Sequence, residues 1–177
     1  GASTLPVQGM YEKAVSYLHT QWLDEYRQMK ENEKKGNRNG LPGEQSLHYL
    51  YICALDEQVA KRADKTAYSY MIDRLEAGAP SDVIYDRALI ATILHKAGKK
   101  VIGICGGYQM MGVRLEDPES IEENIPAIPG LGLLPQCTVI EQEKITRQSD
   151  FAFLPSSENK DCKGYEIHMG RTTLLGD

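Results

Sequence analysis

The chain has 177 residues, of which 41% are hydrophobic and 25% charged, and its formal net charge is −5. That length suffices for one domain or two small ones with a real core, and the acidic balance argues against nonspecific binding to nucleic acid. No apolar run approaches the roughly 18 residues that span a bilayer, and no basic segment followed by a hydrophobic one opens the chain, although the start at Gly1-Ala2-Ser3 leaves a removed leader open.

From the N-terminus, Tyr11, Ala14, Val15, Leu18, Trp22, Tyr26 and Met29 recur at spacings of three and four, which predicts an amphipathic helix over residues 10–31. Residues 32–43 hold Gly36, Gly40, Pro42 and Gly43 and read as a loop. A second helix is predicted over about Glu44 to Ala60, with Leu47, Leu50, Tyr51, Ala54 and Leu55 inward, and a third over about Asp64 to Glu76. Ala77-Gly78-Ala79-Pro80 breaks the pattern, and Ser81 or Asp82 caps a fourth helix that stops at Gly98. Helices in succession without a strand predict antiparallel helical hairpins for residues 1–100. His19, His48 and His95 lie on these helices and read as packing or surface residues. Asp24, Glu25 and Glu33 read as a solvated face, and Trp22, Tyr26, Tyr49, Tyr51, Tyr68 and Tyr70 as helix–helix packing.

The character changes at residue 101. Val101-Ile102-Gly103-Ile104 is an apolar run predicted as a strand. It leads into Cys105, then Gly106-Gly107, then a helical segment through Gln109, Met110 and Met111. A thiol at a strand-to-helix corner is exposed, strained and set at a helix N-terminus, which favours the nucleophilic thiolate. The backbone N–H groups after the corner are placed to hold a developing oxyanion, and the glycines keep the turn and the approach of substrate open. A phosphate cradle is the weaker reading, since neither GxGxxG nor GxxxxGK[ST] occurs. Cys53 reads as core, Cys137 as structural on a strand, and Cys162 as incidental. The cysteines form no zinc pattern, so no metal is expected, and free thiols fit a reducing cytoplasm. Further strands are predicted near Gly132–Leu134, at Cys137–Glu141, within residues 144–154 and at Gly164–Gly170.

The segment GICGGYQMMG resembles the nucleophile elbow of class I glutamine amidotransferases, and more narrowly that of the cobyric acid synthase branch. Asp117-Pro118, Pro129-Gly130-Leu131-Gly132-Leu133-Leu134-Pro135, Glu143-Lys144-Ile145-Thr146-Arg147 and Gly164-Tyr165-Glu166-Ile167-His168-Met169-Gly170 follow in that family's order. The resemblance implies that residues 101–177 form an amidotransferase-like α/β segment, incomplete in these residues, beside the helical region of residues 1–100. The whole is then an α+β or α/β chain. It implies Cys105 as the nucleophile toward the amide of glutamine, Gly106 and Gly107 at the oxyanion, and Gln109 beside the bound glutamine. It implies no cofactor in this chain; ATP and magnesium are expected on a synthetase domain that amidates a corrinoid carboxylate with the released ammonia. Lys144, Thr146 and Arg147 are expected to shape the site or its interface with that domain.

The family's general base comes from a later Tyr-Leu-His-Gly segment, and its oxyanion hole is completed by an Ile-Leu-Pro-Gly-Ser segment before the Cys. Neither occurs in residues 1–177, so the base is expected beyond residue 177 or on another chain, with His168 as the local candidate. Residues 7–100 more loosely resemble the helical toroid of bacterial α2-macroglobulin-like proteins, through Tyr17–Tyr26, Leu47–Ile52 and Ile84–Gly98. That likeness implies a non-enzymatic helical module, without the thioester Cys-Gly-Glu-Gln. Alternatively, the fourth helix is the amidotransferase helix that precedes the nucleophile strand.

Overall fold

The computed structural model describes residues 5–38, 40–78, 84–122, 124–152 and 161–176. The chain divides into two units, Gly1–Val101 and Ile102–Asp177. The expected mixture of helix and sheet is present in its broad form.

The first unit holds α1 (Leu5–Lys34), α2 (Glu44–Leu55), α3 (Glu57–Arg62), α4 (Lys65–Ala77) and α5 (Ile84–Lys96). The long first helix ends where Gly36 turns to φ +86. There Asn37 N–H donates to Asn32 O at 2.9 Å and Gly36 N–H to Glu33 O at 2.9 Å, a Schellman stop. Gly98, at φ +78, ends α5 the same way, with Lys99 N–H on Leu94 O at 2.9 Å and Gly98 N–H on His95 O at 3.0 Å.

The single helix predicted over 44–60 is instead two. Asp56 breaks it, because its carboxylate accepts from Gln58 N–H at 2.9 Å and Val59 N–H at 3.3 Å and so caps α3. Asp64 caps α4 likewise, accepting from Ala67 N–H at 2.8 Å. The Ser81 or Asp82 cap falls outside the described residues. Glu25 is no mere solvated side chain. It accepts from Gly43 N–H at 2.7 Å and from the Ser46 hydroxyl, and so satisfies the start of α2 from α1.

The core of this unit forms where α1 packs on α2 and α4, and α5 on α2 and α4. Trp22, Leu50, Met71 and Ile93 are fully enclosed. The Trp22 and Tyr49 rings lie 4.8 Å apart, within the range of favourable aromatic pairing.

The second unit carries α6 (Gly106–Met110), β1 (Arg114–Glu116), β2 (Ala127–Pro129), β3 (Gln136–Ala152) and β4 (Asp161–Leu174). The sheet order is β2-β1-β3-β4, with β1 parallel to β3 and the other neighbours antiparallel. The separate strands predicted at 137–141 and 144–154 are one strand. It is interrupted by an irregularity between Ile140, opposite Gly170, and Ile145, opposite His168.

Two expected strands are absent. Gly132–Leu134 is a turn, because its N–H groups serve α6 rather than a ladder. Val101–Ile104 joins no sheet among the described residues, and Ile102 and Ile104 are 83% and 81% exposed. An apolar run suited to burial on both faces needs neighbouring strands, and here none pairs with it.

Candidate active site

Cys105 sits at φ 54 and ψ −122, one of two non-glycine residues with positive φ among those described. Gly107 N–H donates to Ile104 O at 3.0 Å across it, so Ile104–Gly107 is a type II′ turn with cysteine where glycine is preferred. A residue held in such a conformation costs of order 1–3 kcal/mol, and strain of this kind clusters at functional sites. The turn starts α6 directly, with Tyr108 N–H on Cys105 O at 3.0 Å and Gln109 N–H at 3.3 Å. The thiol is exposed.

The two glycines after the thiol play different parts from those expected of the turn. A β-carbon on Gly106 or Gly107 would meet nothing within 4 Å, and neither has positive φ, so the turn does not require them. They leave the space before the thiol open. Gly107 spends its N–H on Ile104, whereas Gly106 N–H has no acceptor among the described residues. The residue the corner does require as glycine is Gly103. A β-carbon there would lie 2.8 Å from Gly107 O and 2.8 Å from Tyr108 Cα, so the incoming segment touches the α6 backbone.

A helix of five residues is too short to hold itself, and distant residues secure α6. Leu131 N–H donates to Met110 O at 2.8 Å, Leu133 and Leu134 N–H to Met111 O at 2.9 Å each, and Gly132 N–H to Gly112 O at 2.9 Å. The Pro129–Pro135 motif is therefore the C-terminal cap of the elbow helix. Gln136, 1% exposed at the start of β3, donates from Nε2 to Tyr108 O at 3.2 Å.

Gln109 lies across β4. A β-carbon on Gly170 would stand 2.6 Å from Gln109 Nε2 and 2.9 Å from Thr138 Cγ2. Asp117, buried, accepts from Ile121 N–H at 2.8 Å and Glu122 N–H at 2.9 Å and so shapes the loop after β1.

Along β4, alternate residues share a face, and Glu166, His168 and Gly170 therefore lie on the side that Gln109 covers. Glu166 gathers the polar groups there. Arg147 Nε donates to Oε2 at 2.5 Å, the Ser149 hydroxyl to the same oxygen at 3.2 Å, and His168 Nε2 lies 2.7 Å from Oε1. The Arg147 bond first, and the His168 bond second, hold the Glu166 carboxyl down at about 2. An ionised Glu166 places the His168 proton on Nε2. His168 Nδ1 is enclosed without a partner among the described residues.

The other cysteines differ from Cys105. Cys53 is buried and burial pushes its thiol up to about 11, while Cys137 and Cys162 are partly covered. His19 stacks with Trp22 and Tyr49, at ring separations of 5.6 and 5.2 Å. Among the described residues no group of three or more His, Cys, Asp or Glu side chains is arranged to hold a metal. No helix among them is long and apolar enough to cross a membrane. Gly103, Gln136 and the partnership of Arg147 with Glu166 escape sequence reasoning, although Arg147 itself was expected near the site, because only the register of β3 on β4 and the close approach at the corner give them these roles.

Comparison with known proteins bears on residues from α5 onward. The CobB/CobQ-like glutamine amidotransferase domain family matches residues 85–177. A cobyric acid synthase of Parabacteroides distasonis is 99% identical over 83 residues, which is 47% of this chain and 17% of that protein. A cobyric acid synthase of Phocaeicola vulgatus is 55% identical over 78 residues, 44% of this chain and 15% of its own length. One from Geobacillus thermodenitrificans is 42% identical over 86 residues, 49% of this chain and 17% of its own length. The matched stretch thus spans 15–17% of these relatives. The family match takes in α5, which packs within the helical unit, and leaves residues 1–84 outside it.

Proposed function

The chain belongs to the CobB/CobQ-like glutamine amidotransferase family over residues 85–177, and on that premise we propose that its elbow binds glutamine and releases ammonia for amidation of a corrinoid carboxylate, as the name cobyric acid synthase on its relatives suggests. Cys105 is the nucleophile in this reading. Its thiolate attacks the amide carbon, Gly106 N–H donates to the oxygen as charge develops, and ammonia leaves after taking a proton. Water then cleaves the thioester to glutamate and restores the thiol. Gln109, held over Gly170, borders the bound glutamine. ATP and magnesium belong, in the same reading, to a synthetase domain that receives the ammonia.

The observation that carries the reading is the backbone of Cys105, a non-glycine residue at φ 54 with an exposed thiol and open space before it. The proton acceptor for the thiol is a group other than His168, whose ring nitrogens are taken up by Glu166 and by enclosure. For the helical unit no chemistry is proposed. Its helices pack around Trp22 and Leu50, and nothing beyond that packing favours the likeness to an α2-macroglobulin-like toroid.

Intact-mass labelling with a diazo-ketone analogue of glutamine tests the proposal. One adduct on the wild type, absent from Cys105→Ala and suppressed by excess glutamine, is the expected result. Adducts spread over several thiols, or one insensitive to glutamine, would overturn it.

A further inference from the structure

A hollow in the helical unit, unrelated to the elbow, has the features of a small-molecule site. It opens where α2, α3, α4 and α5 meet and measures about 380 Å³, within the range of ligand pockets of roughly 300–1,000 Å³. It exists because Ala54, Ala60 and Ala63 stand where larger side chains would close the gap between helices. Tyr68 adds an apolar ring. Two ammonium groups, Lys65 from the first turn of α4 and Lys96 from the last turn of α5, complete the lining, and no carboxylate does. Neither lysine has an ion-pair partner among the described residues. The acid next to Lys65, Asp64, is engaged with Ala67 N–H. Four other lysines of this unit are paired with acids, Lys30 with Glu33, Lys34 with Glu31, Lys61 with Glu57 and Lys99 with Asp73 and Glu76, so what sets Lys65 and Lys96 apart is their shared place at the rim of the hollow.

We propose that this hollow binds an amphipathic carboxylate, its apolar body on the alanine floor and its anionic end between Lys65 and Lys96. The chemistry follows from the lining. An apolar floor rewards burial of hydrocarbon. A pair of unmatched cations in a chain of net charge −5 selects an anion over a cation or a neutral chain. The ligand class is a medium-length aliphatic or aryl carboxylate.

Octanoate, 1-octanol and octylammonium serve as charge-matched probes, titrated against the full chain by ligand-observed NMR. A second readout is built in: Cys53 lines the hollow and is 5% exposed, so an occupant slows its alkylation and leaves that of Cys105 unchanged. The expected result is octanoate binding at least about tenfold tighter than 1-octanol, a difference of ~1.4 kcal/mol, with no binding of octylammonium. Lys65→Gln with Lys96→Gln brings octanoate down to the alcohol. Ala60→Leu fills the hollow and abolishes binding of both. Equal affinity for octanoate and octanol in the wild type, or an unchanged ratio in the double lysine variant, would overturn the proposal. The lysine variants alter exposed side chains only, so they decide the matter even if Ala60→Leu disturbs folding.

Discussion

Replacing Cys105 by glycine and by alanine isolates the strain at the elbow. At an ordinary position glycine is the less stable choice, because its unfolded chain is freer, by about 0.4–1 kcal/mol relative to alanine. Cys105 is not at an ordinary position: φ 54 and ψ −122 place any β-carbon in a region that costs of order 1–3 kcal/mol. Alanine keeps that β-carbon, and glycine removes it. Subtracting the entropic penalty from the relieved strain leaves Cys105→Gly more stable than Cys105→Ala by about 1 kcal/mol. Nothing else near the side chain changes, since the thiol is exposed. Hydrogen exchange of the amides in residues 103–112 reads the local opening directly. Those amides should exchange several-fold to about tenfold more slowly in the glycine variant than in the alanine variant, where tenfold corresponds to ~1.4 kcal/mol. Equal rates, or faster exchange in the glycine variant, would show that the corner stores no strain and would remove the observation on which the elbow reading stands.

Gly170→Ala should displace Gln109, whose Nε2 would lie 2.6 Å from the new β-carbon. The analogue adduct on Cys105 should then form at least about tenfold more slowly, while thermal unfolding shows at most the ~1–3 kcal/mol cost of local overpacking. Glu166, held at about 2 against an ordinary 4.5, stabilises the fold as the carboxylate. That contribution is full above 4.5 and is lost as the pH falls toward 2, so acid unfolding of Glu166→Gln, followed by circular dichroism, should show a weaker pH dependence in that window. Trp22→Ala should cost about 3–5 kcal/mol, read by urea unfolding of the helical unit, because the ring is fully enclosed and paired with Tyr49.

The helices were legible because their signals are local. The apolar spacing from Val15 to Met29 and the glycines at 36 and 98 act within one or two turns, and the structure uses them as expected. Asp56 was legible too, but apolar periodicity hid it; a capping residue outweighs a continuous hydrophobic pattern when its own carboxylate satisfies the next N–H groups. The short strands β1 and β2, three residues each, carry no periodic signal and exist through their pairing. Gly132–Leu134 failed for the converse reason: an apolar triplet reads as a strand, yet its backbone donors go to the carbonyls of Met111 and Gly112, just past the end of α6. Cys105 was visible as a thiol at a sharp corner, and Gly103, two residues earlier, was not visible as the contact that makes the corner possible.

The motifs that resemble the amidotransferase signature lie far apart in sequence, and the elbow supplies the physical reason. A nucleophile on a sharp turn needs the helix after it to be rigid, and a five-residue helix has no rigidity of its own. Its carbonyl end is therefore closed by donors from Leu131, Gly132, Leu133 and Leu134, its flank by Gln136, and the side chain of Gln109 by the bare backbone of Gly170. Gly170 is in turn fixed by β3, whose pairing beyond the irregularity at Ile140 and Ile145 is reinforced by Arg147 on Glu166. The Pro129–Pro135 motif and Gly170 thus bear on the corner through α6, next to the residue proposed as the nucleophile. The same logic singles out the incoming side: among the described residues no strand neighbours Ile102 and Ile104, so there the backbone strain of the corner is held by the close approach of Gly103 to α6.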